Sequence, residues 1–174
     1  MTRSNYGSLI LSTDAFLFAL AYQVPPVILG CLLRLVIPYP RLKAVVLFPG
    51  TFVHELLHLI VGLILNGKPV TFSLWPRKVG QRQWVLGAVG FTNLRWYNAA
   101  FIGMAPLLAI VLAMVMTPAL IGWTLRMEDL QQWLIAAPIL SMCLPSATDC
   151  KISLKSWPLL CLLSLFLLWQ LYRY

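Results

Sequence analysis

The sequence predicts an all-α polytopic membrane protein, with about five transmembrane helices and a short membrane-associated β-hairpin after the second. Three observations predict it. First, 60% of the 174 residues are hydrophobic and only 10% are charged, with a mean hydropathy of +0.84. A soluble domain usually carries about 25% charged residues, so so little charge cannot cover an aqueous surface and lipid must cover much of it. Second, apolar runs of spanning length recur between short polar connections. Third, Trp75, Trp84, Trp96, Trp123, Trp133, Trp157 and Trp169 fall near the ends of these runs or between them. Amphipathic rings settle there, at the headgroup level.

The elements follow in order. The first span runs from about Asp14 to Ile37, with a kink or break expected at Pro25-Pro26. Arg3 before it and Ala19-Leu20-Ala21 within it resemble parts of a cleavable signal. Asp14 interrupts that pattern and apolar residues continue to Ile37, which favours a retained helix. The second span, Ala44 to Leu65, extends about 33 Å at 1.5 Å per residue, enough for a hydrocarbon core of about 30 Å. Asn66-Gly67 is its stop signal. The third runs from about Tyr97 to Ile121, and the fourth starts near Leu130 and is broken by Pro138 and Pro145. The fifth runs from about Trp157 to Tyr172. With no repeat, low-complexity tract or long linker, residues 1–174 read as one integral membrane domain.

Between the second and third spans the pattern changes. Val70, Phe72 and Leu74 alternate with Thr71, Ser73 and Trp75, which is strand periodicity. Pro76 to Gln83 reads as a polar turn, and Trp84 to Thr92 as a returning strand. The edge of such a hairpin could accept an extended peptide as a further strand.

The net charge of +8 does not point to nucleic acid, because no basic stripe with interleaved aromatics lies on a soluble module. The basic residues cluster in connections between apolar runs, as loops facing anionic lipid do. Arg3, Lys68, Arg77, Lys78, Arg82, Arg95, Lys151 and Lys155 fall on the side of the N-terminus, the hairpin and the 146–156 loop. Arg41, Lys43, Arg126 and Arg173 fall on the other, with Arg34 near the end of its helix. The bias predicts a multi-pass protein of the cell (inner) membrane with a cytoplasmic N-terminus. Cys31, Cys143, Cys150 and Cys161 lie in or beside apolar segments without a C-x-x-C, so they read as small buried residues.

Chemistry concentrates in the second span, which carries His54-Glu55-Leu56-Leu57-His58. These are the only two histidines, and Glu55 is one of five acidic residues. Residues i and i+4 share one helix face, so the two imidazoles can hold one cation while Glu55 acts on the water beside it. Ionisable residues inside a membrane are costly and mark functional sites. The expected chemistry is zinc-assisted peptide hydrolysis, with Glu55 as general base passing a proton to the leaving amine.

A catalytic zinc needs a third protein ligand. The remaining carboxylates are Asp14, Glu128, Asp129 and Asp149. Asp14 lies near the start of the first span, and Glu128 and Asp129 lie in a loop on the far side. Asp149 fits best, reaching the depth of the histidines if the chain unwinds around Pro145. It has a second reading, as N3 of a capping box begun by Ser146. Cys150 is the runner-up ligand, with a buried-thiol reading beside it. Asn93, Arg95 and Asn98 are candidate oxyanion donors, or equally interfacial and packing residues.

These motifs resemble the site-2 protease family of intramembrane zinc metalloproteases. The likeness rests on His54-Glu55-Leu56-Leu57-His58, the hairpin-like segment after it, Asp149 on a later span, and Gly103-Met104-Ala105-Pro106, which is similar to a Gly-Pro signature. It covers about residues 44–155, leaving extra spans at about 14–37 and 157–172. Cys150 stands where the family has a glycine after the aspartate, and Ala109 where it has an asparagine after the proline. The departures suggest a divergent, minimal branch. The resemblance implies Zn2+ held by His54, His58 and Asp149, with Glu55 catalytic, and a transmembrane or membrane-associated protein as substrate, cut within or near the bilayer. The oligomeric state stays open. Competing readings are an inactive accessory protein that binds a metal or a client helix, and a transporter component, which would show repeated halves with broken helices.

Overall fold

Prolines mark where several of the described apolar helices begin or bend. The computed structural model describes residues 13–75, 77–79, 83–117 and 126–173. Helices α1 (Thr13–Tyr22) and α2 (Val24–Val36) meet at Gln23. Pro25 and Pro26 lie in the first turn of α2, where a missing N–H breaks no helical bond. The run Ala15–Val36 is long and apolar enough to cross a membrane.

Helices α3 (Pro40–Val46) and α4 (Phe48–Ile64) are bent by 66° at Leu47. Pro49 has no N–H for the carbonyl of Val45, and its ring crowds that carbonyl. The expected straight helix over 44–65 is therefore replaced by a bent pair. Its second arm, with 17 residues, reaches only about 25 Å. The stop at Asn66-Gly67 holds: Asn66 takes a φ of 54°, and Gly67 N donates to Gly62 O at 2.6 Å.

Among the described residues, two helical runs are long and apolar enough to span a membrane, Ala15–Val36 and Ala147–Arg173, or three if the bent pair forms one span. This corrects the expected five. In place of the third stand α5 (Ala99–Met104), a 3-10 turn (Ala105–Leu107) and α6 (Leu108–Val115), because Pro106 interrupts the helix. Its expected end at 118–121 lies outside the described residues. In place of the fourth stands α7 (Met127–Met142), 16 residues long with Glu128, Asp129, Gln131 and Gln132 in its first turns. Pro138 does not break it; the chain leaves the helix at Cys143, ahead of Pro145. The last run starts ten residues before the expected Trp157. It comprises α8 (Ala147–Ser153), a 3-10 turn (Leu154–Ser156) and α9 (Trp157–Arg173), so Lys151 and Lys155 lie on helical turns and not in a loop. No residue of α9 is buried, and Leu162, Leu163, Leu165, Phe166, Leu167 and Leu168 are all exposed. An apolar helix exposed all round is suited to lipid.

The chain divides into two compact units, drawn from Met1–Gly50 with Ala109–Cys143 and from Thr51–Leu108 with Leu144–Tyr174. In the first, α2 packs on α7, and Arg34 Nη1 donates to Ser141 O at 2.8 Å. Tyr22 Oη donates to Asp129 Oδ1 at 2.7 Å, while Asp129 Oδ2 accepts from Arg126 N at 3.1 Å. That carboxylate caps the positive end of α7.

The second unit holds a β-ribbon between α4 and α5. Strand β1 (Pro69–Ser73) pairs antiparallel with β4 (Ala88–Phe91), and β2 (Arg77–Val79) with β3 (Gln83–Val85). Val70 is the extra residue of a bulge between Pro69 and Thr71. The strand pairing thus extends further than expected, since β2 and Gln83 of β3 occupy residues assigned to the polar turn, while Trp84 and Val85 fall in the expected returning strand. Pro76 and residues 80–82 of that turn lie outside the described residues. The returning strand is interrupted at Leu86-Gly87.

Candidate metal centre

The one-turn spacing on α4 brings His54 and His58 together, with Nε2 atoms 3.1 Å apart and ring centroids 4.8 Å apart. Asp149, in the first turn of α8, faces both. Its Oδ2 lies 3.3 Å from His54 Nε2 and its Oδ1 lies 3.2 Å from His58 Nε2. His54, Glu55, His58 and Asp149 are each less than a tenth exposed. A tetrahedral site with bonds of about 2.0–2.1 Å has ligand–ligand edges of about 3.3–3.4 Å. The contacts of 3.1–3.3 Å are near that separation but reach the two histidines through different oxygens of Asp149. With one donor atom from each residue the set lies within 4.8 Å, and this buried His-His-Asp group can hold a metal ion. Imidazole and carboxylate together suit zinc and other borderline divalent metals.

Local bonding holds Asp149 in place. Ser146 N donates to Asp149 Oδ2 at 2.7 Å, and Asp149 N donates to Ser146 Oγ at 3.2 Å. The capping box and the ligand position were alternatives in the sequence; the same carboxylate occupies both. It does so because a carboxylate offers about four lone-pair sites. The unwinding expected around Pro145 is present at Cys143–Ser146, and a new helix starts at Ala147 to carry Asp149.

Helix α8 approaches α5 closely. A Cβ on Gly103 would collide with Ser153 Oγ and stand 2.6 Å from Asp149 O, so only glycine fits. Ala100 N donates to Ser156 Oγ at 2.8 Å, which fastens the last run to α5, while Ser153 Oγ donates back to Asp149 O at 2.8 Å within α8. The same helix orients a histidine: His58 Nδ1 lies 2.7 Å from Ile102 O. A carbonyl only accepts, so Nδ1 donates, and in the neutral ring the lone pair is then on Nε2, the atom facing Asp149. This partner is a backbone group, and no residue type in the sequence marks it.

Glu55 lies beneath the ribbon. A Cβ on Gly87 would stand 2.6 Å from Glu55 Cγ and 2.9 Å from Oε1, so the β3–β4 connection passes directly over the carboxylate. The other candidates are engaged elsewhere or lie away from the group. Cys150 is exposed and outside it. Glu128 is exposed on α7, Asp129 bonds Tyr22, and the side chain of Asp14 lies outside the described residues. Asn98 is fully buried, but its Nδ2 donates to Leu65 O and Asn93 O, and its Oδ1 accepts from Arg95 N. Asn93 Nδ2 donates to Asn66 O, and Arg95 Nε donates to Asn93 Oδ1. All three candidate oxyanion donors thus serve the loop joining β4 to α5.

No family model matches the chain, and comparison with the curated proteins and with the solved structures finds no match.

Proposed function

We propose that this chain is an intramembrane zinc metalloprotease, a divergent and minimal member of the site-2 protease family, that hydrolyses peptide bonds of transmembrane protein segments within or near the bilayer. One observation carries the reading: two histidines and an aspartate are buried together with donor atoms close enough to share one metal ion, and a buried glutamate is adjacent in sequence to the first histidine. His54, His58 and Asp149 would hold the ion. When bound, such an ion supplies Lewis-acid polarisation and lowers the pKa of water.

The chain's own groups supply the rest. Ile102 O holds His58 by Nδ1, and Ser146 holds Asp149. Glu55 takes a proton from the attacking water and returns it to the leaving nitrogen, a role typically worth about 10²–10⁴ in rate. Glu55 is buried beneath Gly87, which limits the access of bulk water to its carboxylate.

The test uses purified, zinc-loaded protein in lipid vesicles with a mixture of single-span peptides, read by mass spectrometry. Zinc-dependent cleavage by the wild type, absent in Glu55→Gln, is the expected result. Identical peptide profiles for the two proteins would contradict the proposal.

A further inference from the structure

A helical residue ordinarily gives its carbonyl to the N–H four positions on. For Ile102 that position is Pro106, which has no N–H. The Ile102 carbonyl accepts instead from Ala105 N, three positions on, where the chain tightens into the 3-10 turn Ala105–Leu107. A carbonyl oxygen has two lone pairs. Ala105 N takes one, and His58 Nδ1 takes the other at 2.7 Å. Ile102 and Pro106 are both fully buried, so solvent does not compete for this oxygen.

We propose that Pro106 is a positioning residue for the metal centre: by withholding an N–H from the Ile102 carbonyl, it reserves that carbonyl for His58 Nδ1 and thereby turns His58 Nε2 toward Asp149. The inference rests on the metal-centre reading of His54, His58 and Asp149. An N–H at position 106 would add a third donor to an oxygen with two lone pairs. An α-helical bond from residue 106 would then displace His58 from its acceptor. Partners of this kind, one step removed from the metal, are typically worth about 10–100-fold in metal affinity.

Two variants separate the missing N–H from the shape of the proline ring. Pro106→Ala restores the donor. Replacing Pro106 by lactic acid, the ester counterpart of alanine, removes the ring but still offers no N–H. Zinc affinity should fall about 10–100-fold in Pro106→Ala and stay close to wild type in the ester. Unchanged affinity in Pro106→Ala, or an equal loss in the ester, overturns the inference.

A second readout needs no metal. With only two histidines in the chain, 15N-histidine spectra of the apo protein resolve two rings. His58 should carry its proton on Nδ1 in the wild type and the ester, and lose that preference in Pro106→Ala. An unchanged His58 tautomer in Pro106→Ala overturns the role of Pro106 by itself. Wild-type protein that binds no zinc, with the tautomer shift intact, would instead sink the metal reading.

Discussion

Gly87 lies directly over the side chain of Glu55, close enough that a Cβ would stand 2.6 Å from Glu55 Cγ. A ribbon strand ends at Val85 and another begins at Ala88, so the gap between them is what meets the glutamate. Gly87→Ala should push the carboxylate aside without touching His54, His58 or Asp149. A misplacement of about 1 Å can cost about 100-fold in rate. Peptide hydrolysis by Gly87→Ala should fall by about that factor while its zinc content stays at the wild-type level. Zinc loss in parallel with activity would show that the ribbon holds the histidines rather than the base.

Ser146 starts the helix that carries Asp149, and its hydroxyl accepts from Asp149 N at 3.2 Å. Ser146→Ala removes that cap at a cost of about 1 kcal/mol. The backbone N–H of residue 146 still reaches Asp149 Oδ2, so the carboxylate is loosened and not lost. Thermal unfolding should shift down, and zinc affinity should weaken by about tenfold. Unaltered affinity would mean that the cap only builds the helix.

Gly103 sets how close α8 comes to α5. Gly103→Ala forces the two apart at Ser153 and Asp149, with an overpacking cost of about 1–3 kcal/mol. His58 stays with α5 through Ile102 O, so the displacement opens the gap between His58 and Asp149. Zinc affinity should therefore fall more in Gly103→Ala than in Ser146→Ala. Titration of both variants with zinc checks the order, and the reverse order would contradict this account of how Asp149 is placed.

The site was more legible in the sequence than the fold. His54 and His58 declare themselves because a four-residue spacing becomes one helix face whatever the surroundings. Asp149 was reachable because a chain with five acidic residues offers few candidates. The spans were misjudged because proline acts through context. Pro49 and Pro106 interrupt their helices, whereas α7 runs through Pro138, and local sequence does not distinguish the three cases. Strand β2 was hidden in a polar segment: Arg77 and Lys78 are exposed and carry no apolar alternation to read, whereas Trp84 and Val85 of its partner β3 lie in the expected returning strand. The Ser146–Asp149 box marks a helix start, and the segment expected as the 146–156 loop is helical from Ala147. Ile102 O left no trace except a proline four residues later, which gains meaning only once His58 is seen beside it.

The most direct test of the metal centre is the zinc content of detergent-purified wild-type protein beside His54→Ala, His58→Ala, Asp149→Ala and Glu55→Gln. The account predicts near-stoichiometric zinc in the wild type and in Glu55→Gln, and loss in the other three. A folded wild-type protein that takes up no zinc when it is supplied, or an Asp149→Ala variant that retains it fully, would contradict the three-residue site.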